Sequence, residues 1–193
     1  MNIMYRLLLI LILTFSFQSW TKADDINDLE IAGMSLGDSL LEYYTESKLN
    51  LNKSRTNYPG SDKYYSISIV EKTYEYDGMK FDVKSGDKKY LIAGMDGRIH
   101  FEETSKCLKK KKEIINEIVF NIKVKKRDDY EFEYPQYIKS KAIITDLSIE
   151  GGDIRIWCDD ISKETREKFG LIKSLAVSIS SDVFANWLKN EAY

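Results

Sequence analysis

An α+β fold built on a mainly antiparallel sheet is the class this sequence predicts, and three observations predict it. Short runs alternate apolar with polar residues, as at Tyr65, Ile67 and Ile69 or at Leu175, Val177 and Ile179, which is the period-two pattern of half-buried strands. Tight turn signals separate such runs, at Ser85-Gly86-Asp87, Asp96-Gly97 and Gly151-Gly152. Connections this short join antiparallel neighbours and leave no room for the crossover a parallel pair needs. Other segments carry their apolar residues at helical spacing instead.

The N-terminus comes before any of these elements. Arg6 and the α-amino group precede an apolar run of 11 residues, 7–17, shorter than the roughly 20 residues that span a bilayer as a helix. Thr21-Lys22-Ala23 then places a small residue at each of the two positions a signal peptidase reads. The expectation is a signal peptide over residues 1–23, a single mature domain over residues 24–193, no stable membrane span after cleavage, and a periplasmic or secreted protein.

Residues 35–47 are expected to form the first helix. Ser35 would cap it with Asp38 as its capping-box partner, and Leu36, Leu40, Leu41 and Tyr44 would share one face. Residues 50–62 are polar, hold Pro59-Gly60 and read as a loop. Four strands follow: residues 65–69, 79–83 and 90–95, then a short one at Ile99 and Phe101 after a two-residue hairpin at Asp96-Gly97. Thr104 or Ser105 would cap a second helix to about Ile122, with Cys107, Leu108, Ile114, Ile115 and Ile118 on its apolar stripe and the bases of residues 109–112 on a solvated side. Residues 123–140 read as a polar, Tyr-rich loop. A hairpin of residues 142–149 and 153–158 comes next, then a charged connection over 159–170 with one short helix, and a last strand at 175–180. Ser181 opens a final helix whose Val183, Phe184, Trp187 and Leu188 face inward. The expected order is α-β-β-β-β-α-β-β-β-α, open to a reading as two repeated halves, each a helix followed by a meander.

After removal of residues 1–23 the chain carries 27 basic and 31 acidic residues, an acidic balance that argues against general nucleic-acid binding. Two cysteines are present, Cys107 and Cys158. In an oxidising compartment they have one pairing available, so a Cys107–Cys158 disulfide is expected. A zinc site needs three or four His, Cys or acidic ligands. With one histidine and both cysteines bonded, no metal and no cofactor are expected. Trp157 stands on the strand face opposite Ile154, Ile156 and Cys158, and with Arg155 it is the candidate binding surface.

Gly37-Asp38-Ser39-Leu40 spells the signature of the GDSL esterases and lipases. That resemblance implies a nucleophile at Ser39 on a flavodoxin-like parallel α/β fold. It covers four residues, and the G-x-N-D and D-x-x-H blocks of that family have no counterpart here. A serine hydroxyl without a base is a poor nucleophile, and helix capping accounts for Ser35 and Asp38 without chemistry. Catalysis through Ser39, or through a carboxylate pair, is therefore the alternative reading.

Residues 33–101, with a Gly33-Met34-Ser35 turn leading to a cap and then a meander, resemble the module of the SmpA/OmlA outer-membrane lipoproteins and of beta-lactamase inhibitor proteins. The chain as a whole resembles small exported bacterial proteins. The first of these resemblances implies a protein-interaction role; the second implies no function. The reading of the sequence is an exported, non-catalytic binding protein of the cell envelope, with an unidentified protein or envelope component as partner.

Overall fold

Eight strands build one antiparallel sheet in a computed structural model that describes residues 25–54, 58–73 and 75–193. The strands are β1 (Lys53–Ser54), β2 (Tyr64–Ile69), β3 (Gly78–Lys84), β4 (Ile92–His100), β5 (Lys126–Glu133), β6 (Lys141–Ile149), β7 (Gly152–Asp160) and β8 (Ser174–Ser181). Their spatial order is β1-β2-β3-β4-β8-β7-β6-β5. The chain thus lays down one meander of four strands, crosses over, lays down a second from the far edge inward, and joins the two at β4 and β8. Four helices accompany the sheet: α1 (Glu46–Leu51), α2 (Thr104–Asn121), α3 (Lys163–Phe169) and α4 (Asp182–Asn190). The class is α+β, as the alternation predicts. The expected signal peptide lies outside the described residues.

Register separates the two faces of the sheet. Ile154 of β7 opposes Ile179 of β8 and Leu147 of β6, and Met95 of β4 opposes both Ile179 and Phe81. Directly opposed residues point the same way, so these side chains share one face with Ile67, Val177 and Cys158. Together with Ile26, Ile31, Leu36 and Leu40 from the N-terminal segment and Ile115 of α2, they form the main core. The Cys107–Cys158 disulfide, with a Cα–Cα distance of 6.1 Å, pins the first turn of α2 to β7 on this face. A smaller cluster of Tyr58, Tyr64, Phe184, Trp187 and Ala192 seats α4 near one end of the opposite face.

Several local expectations give way to tertiary pairing. The helix expected over residues 35–47 is absent. Ala32 and Gly33 both have positive φ and join Ile31 to Met34 in a tight turn, and Gly37 has φ 86°, which a right-handed helix does not accommodate. The segment instead pairs with the approach to β4: Gly37 N–H donates to Ile92 O, Leu40 N–H to Tyr90 O and Ile92 N–H to Asp38 O. Ser35 keeps Asp38 as its backbone partner at 2.9 Å. A 3-10 turn at Leu40–Glu42 and then α1 supply the helical content. The part of the expected loop over 50–62 that follows α1 includes β1.

Asp96-Gly97 is not a hairpin either, because β4 runs straight through it. Lys80 opposes Asp96 on one side and Ser178 on the other. Gly97 is glycine because of what covers it: a Cβ there would stand 2.5 Å from the Tyr76 ring and 3.0 Å from Ile31. Gly97→Ala should therefore cost about 1–3 kcal/mol, the usual range for overpacking, read as a lower urea midpoint. An unchanged midpoint would mean that ring packing is not what selects glycine here.

The supposed loop at 123–140 contains β5, an edge strand paired with β6 along its whole length and exposed at all eight positions. Its charges hide the alternation, and they suit an edge that must not recruit further strands. The capping expected of Thr104 or Ser105 also fails. Glu103 precedes α2 without a side-chain cap, while the Thr104 hydroxyl donates to Asp160 and accepts from Lys173. Lys111, expected on the solvated side of α2, is buried and donates to Ile143 O at 2.8 Å, its long stem lying along apolar surface. Leu108 of the expected stripe is exposed instead. Ser181 does cap α4, accepting from Phe184 N–H, but Val183 points outward at 68% exposure.

Candidate functional site

Helices and the N-terminal segment cover one face of the sheet, and the other keeps an uncovered strip across β4, β8, β7 and β6. At one end of the strip stands the α4 cluster. At the other, the rings of Tyr134, Tyr137 and Phe169 pack in series, the first pair edge-on and the second tilted. Gly94, Asp96 and Arg98 of β4 and the odd-numbered residues of β7 line the strip, and most of them are charged.

Arg98 of β4 is the centre of one group. Its guanidinium donates to Asp159 Oδ2 at 3.1 Å and to Ser174 Oγ at 3.2 Å, and lies 5.3 Å from the ring centroid of Trp157. Asp159 is buried, and it also accepts from the hydroxyls of Ser174 (2.9 Å) and Tyr134 (2.5 Å). Burial, followed by the hydrogen bond to Asp159, pushes the Tyr134 phenol well above its ordinary range, so it stays a donor at physiological pH. The carboxylate is fully engaged, yet the Arg98 side chain remains 45% exposed.

Arg155 of β7 forms the second group. It binds Asp146 of β6 through two parallel contacts, Nε to Oδ1 at 2.7 Å and Nη2 to Oδ2 at 2.8 Å, and Tyr130 of β5 donates to the same carboxylate at 3.0 Å. A fork-to-fork pair of this kind fixes both side chains.

The third group lies under α4. Lys80 Nζ stands 3.5 Å from Asp82 and 3.2 Å from Asp96. Asp82 Oδ1 accepts from the hydroxyls of Tyr58 and Ser66, each at 2.6 Å. Burial drives the Asp82 carboxyl up against the opposing pull of Lys80. Burial also works against the Lys80 ammonium, but the two carboxylates outweigh it and hold this group above its usual range.

The structure thus places both residues singled out from the sequence, Arg155 and Trp157, on the open strip, and it brings Trp157 under Arg98. Sequence reasoning missed Arg98, Lys80 and Asp96. The signal for β3 was visible in Lys80 and Asp82 alternating with apolar neighbours. Reading a turn at Asp96-Gly97 hid Asp96 and Arg98.

Ser39 stands elsewhere. Its hydroxyl donates to Lys89 O at 2.6 Å and accepts from Leu41 N–H at 3.3 Å, capping the 3-10 turn. Ser39 bridges to Leu91, just before β4, whereas His100 ends that strand. Nine residues of extended chain separate them, roughly 30 Å, so His100 cannot serve as base for Ser39. Among the described residues, no group of three or more His, Cys, Asp or Glu is arranged to hold a metal ion, and no helix is long and apolar enough to cross a membrane. No family model, curated protein or solved structure matches the chain.

Proposed function

We propose that this chain is an exported, non-catalytic binding protein that engages a protein of the cell envelope through the open strip of its sheet. One observation carries the reading: Arg98, Arg155, Trp157 and Tyr130 stand on an uncovered sheet face, three of them held in place by carboxylates and Trp157 by the guanidinium above it. Arginine, tryptophan and tyrosine supply most of the energy at protein interfaces. Side chains already fixed in position lose less conformational entropy on binding. The disulfide suits an oxidising compartment, in keeping with the signal peptide expected at the N-terminus. The Ser39 hydroxyl serves as a local cap, and capping needs no chemistry.

The test is capture of a partner from an envelope extract by wild-type protein, compared with Trp157→Ala and Arg155→Ala, after confirming that the variants keep the wild-type melting temperature. Each variant is expected to lose about 2 kcal/mol of affinity, roughly 30-fold, as at an interface hot spot. Equal binding by wild type and both variants would remove the strip from consideration. Ester hydrolysis by purified protein that disappears in Ser39→Ala would overturn the non-catalytic reading itself.

A further inference from the structure

The covered face of the sheet holds a cleft of about 570 Å3, within the range of about 300–1,000 Å3 of small-molecule sites. Its floor is the sheet at Ile154, Val177 and Ile179. One wall is α2, through Ile114 and Ile118. The other is the N-terminal segment, through Leu29 and Ile31. Tyr76, which lies over Gly97, reaches in from the loop before β3.

The mouth of this apolar cleft is charged. Glu30, Glu75 and Glu117 line it and are exposed, and the lining contributes one cation, Lys110. Some glutamates elsewhere in the chain pair with lysines, as Glu71 does with Lys48, Glu131 with Lys141 and Glu150 with Lys125. Among the described residues, Glu30, Glu75 and Glu117 make no such pair, and three acids against one base leave the lining with a net negative charge. The same crowding acts on Tyr76, whose phenol is pushed up to about 12 by burial and then by Glu75 and Glu117.

We propose that this cleft binds a cationic amphiphile, with an apolar chain on the isoleucine floor and an ammonium or guanidinium head among the three carboxylates. The apolar walls reward burial of a hydrocarbon chain. The carboxylates select the sign of the head, because an anion would meet net like charge as it enters. The site lies on the face opposite the open strip and stands independently of the protein-binding reading.

Calorimetric titration of the purified protein tests this with decyltrimethylammonium, decyl sulfate and decyl maltoside, each below its micelle concentration. The ammonium is expected to saturate one site per chain and to bind at least about tenfold more tightly than the sulfate, an advantage that shrinks with added salt. The double variant Glu75→Gln/Glu117→Gln should weaken ammonium binding about tenfold and leave the maltoside unaffected. Ile118→Trp, which fills the cleft, should abolish binding of the ammonium. The proposal is overturned if the ammonium shows no saturable site, if the sulfate binds equally well, or if Glu75→Gln/Glu117→Gln binds the ammonium as wild type does. The last two outcomes stand even if Ile118→Trp fails to fold.

Discussion

Replacing Cys107 and Cys158 together with alanine is expected to lower stability by about 4 kcal/mol, the chain-entropy value for a closed loop of this size, here with a sequence separation of 51 residues. The loss should exceed that of any single substitution on the open strip. The bridge joins the first turn of α2 to the middle of the sheet. Its second effect is positional, because α2 walls the main core through Ile115. Without the bridge, the unfolded chain regains its freedom while the folded state keeps the same apolar contacts. Urea unfolding of wild type, wild type with reductant and the double alanine variant measures the effect. The reduced wild type should match the variant closely. If reductant leaves the urea midpoint where it was, the bridge contributes nothing and the packing of α2 alone holds the face closed.

Lys80→Met is expected to cost about 3 kcal/mol, at the lower end of the range for removing one partner from a buried charge pair, since the Lys80 side chain is itself 32% exposed. Asp82 and Asp96 are buried and would lose their shared cation. The variant should also acquire a pH dependence whose sign follows from Asp82. Burial already raises that carboxyl in the folded state, and losing Lys80 removes the force that opposes the rise. A carboxyl raised on folding contributes stability that is fully present below its unfolded value of about 3.9 and is lost as pH rises through its folded value. Lys80→Met should therefore lie closest to wild type near pH 4 and fall away from it as the pH rises. Adding Asp82→Asn should flatten that slope, since the amide oxygen still accepts from Tyr58 and Ser66 while the charge buried at position 82 is gone. Thermal melts of the two variants and wild type at successively higher pH decide the matter. A variant that tracks wild type at every pH would show that the cluster is solvated enough to need no cation.

How much was legible follows from where the signal resides. β2, β3, β6, β7 and β8 were readable because each has one apolar face and one polar face, and alternation records that directly. The disulfide was readable because two cysteines admit one pairing. The cap at Ser181 was readable because an N-cap bond spans only three residues. The open strip was half legible. The parity of β7 placed Trp157 and Arg155 together, but nothing in the sequence tied Arg98 to Asp159, 61 residues away. The strand β5 was missed because its first four residues are all charged and only Tyr130 and Phe132 alternate with acids.

What the sequence by itself determined is the set of local periodicities, the cysteine bridge and the α+β class, since each depends on residues a few positions apart or on a pairing with no alternative. Only the tertiary structure decided that Gly37 leaves the helical region to pair with β4, that Gly97 lies mid-strand beneath Tyr76, that Lys111 is buried, and that the carboxylates of β3 and β4 converge on Lys80. Glycine and charged residues fit several local conformations at similar cost. Their roles are set by what distant strands bring against them: a ring that leaves no room for a Cβ, or a cation that makes a buried carboxylate tolerable.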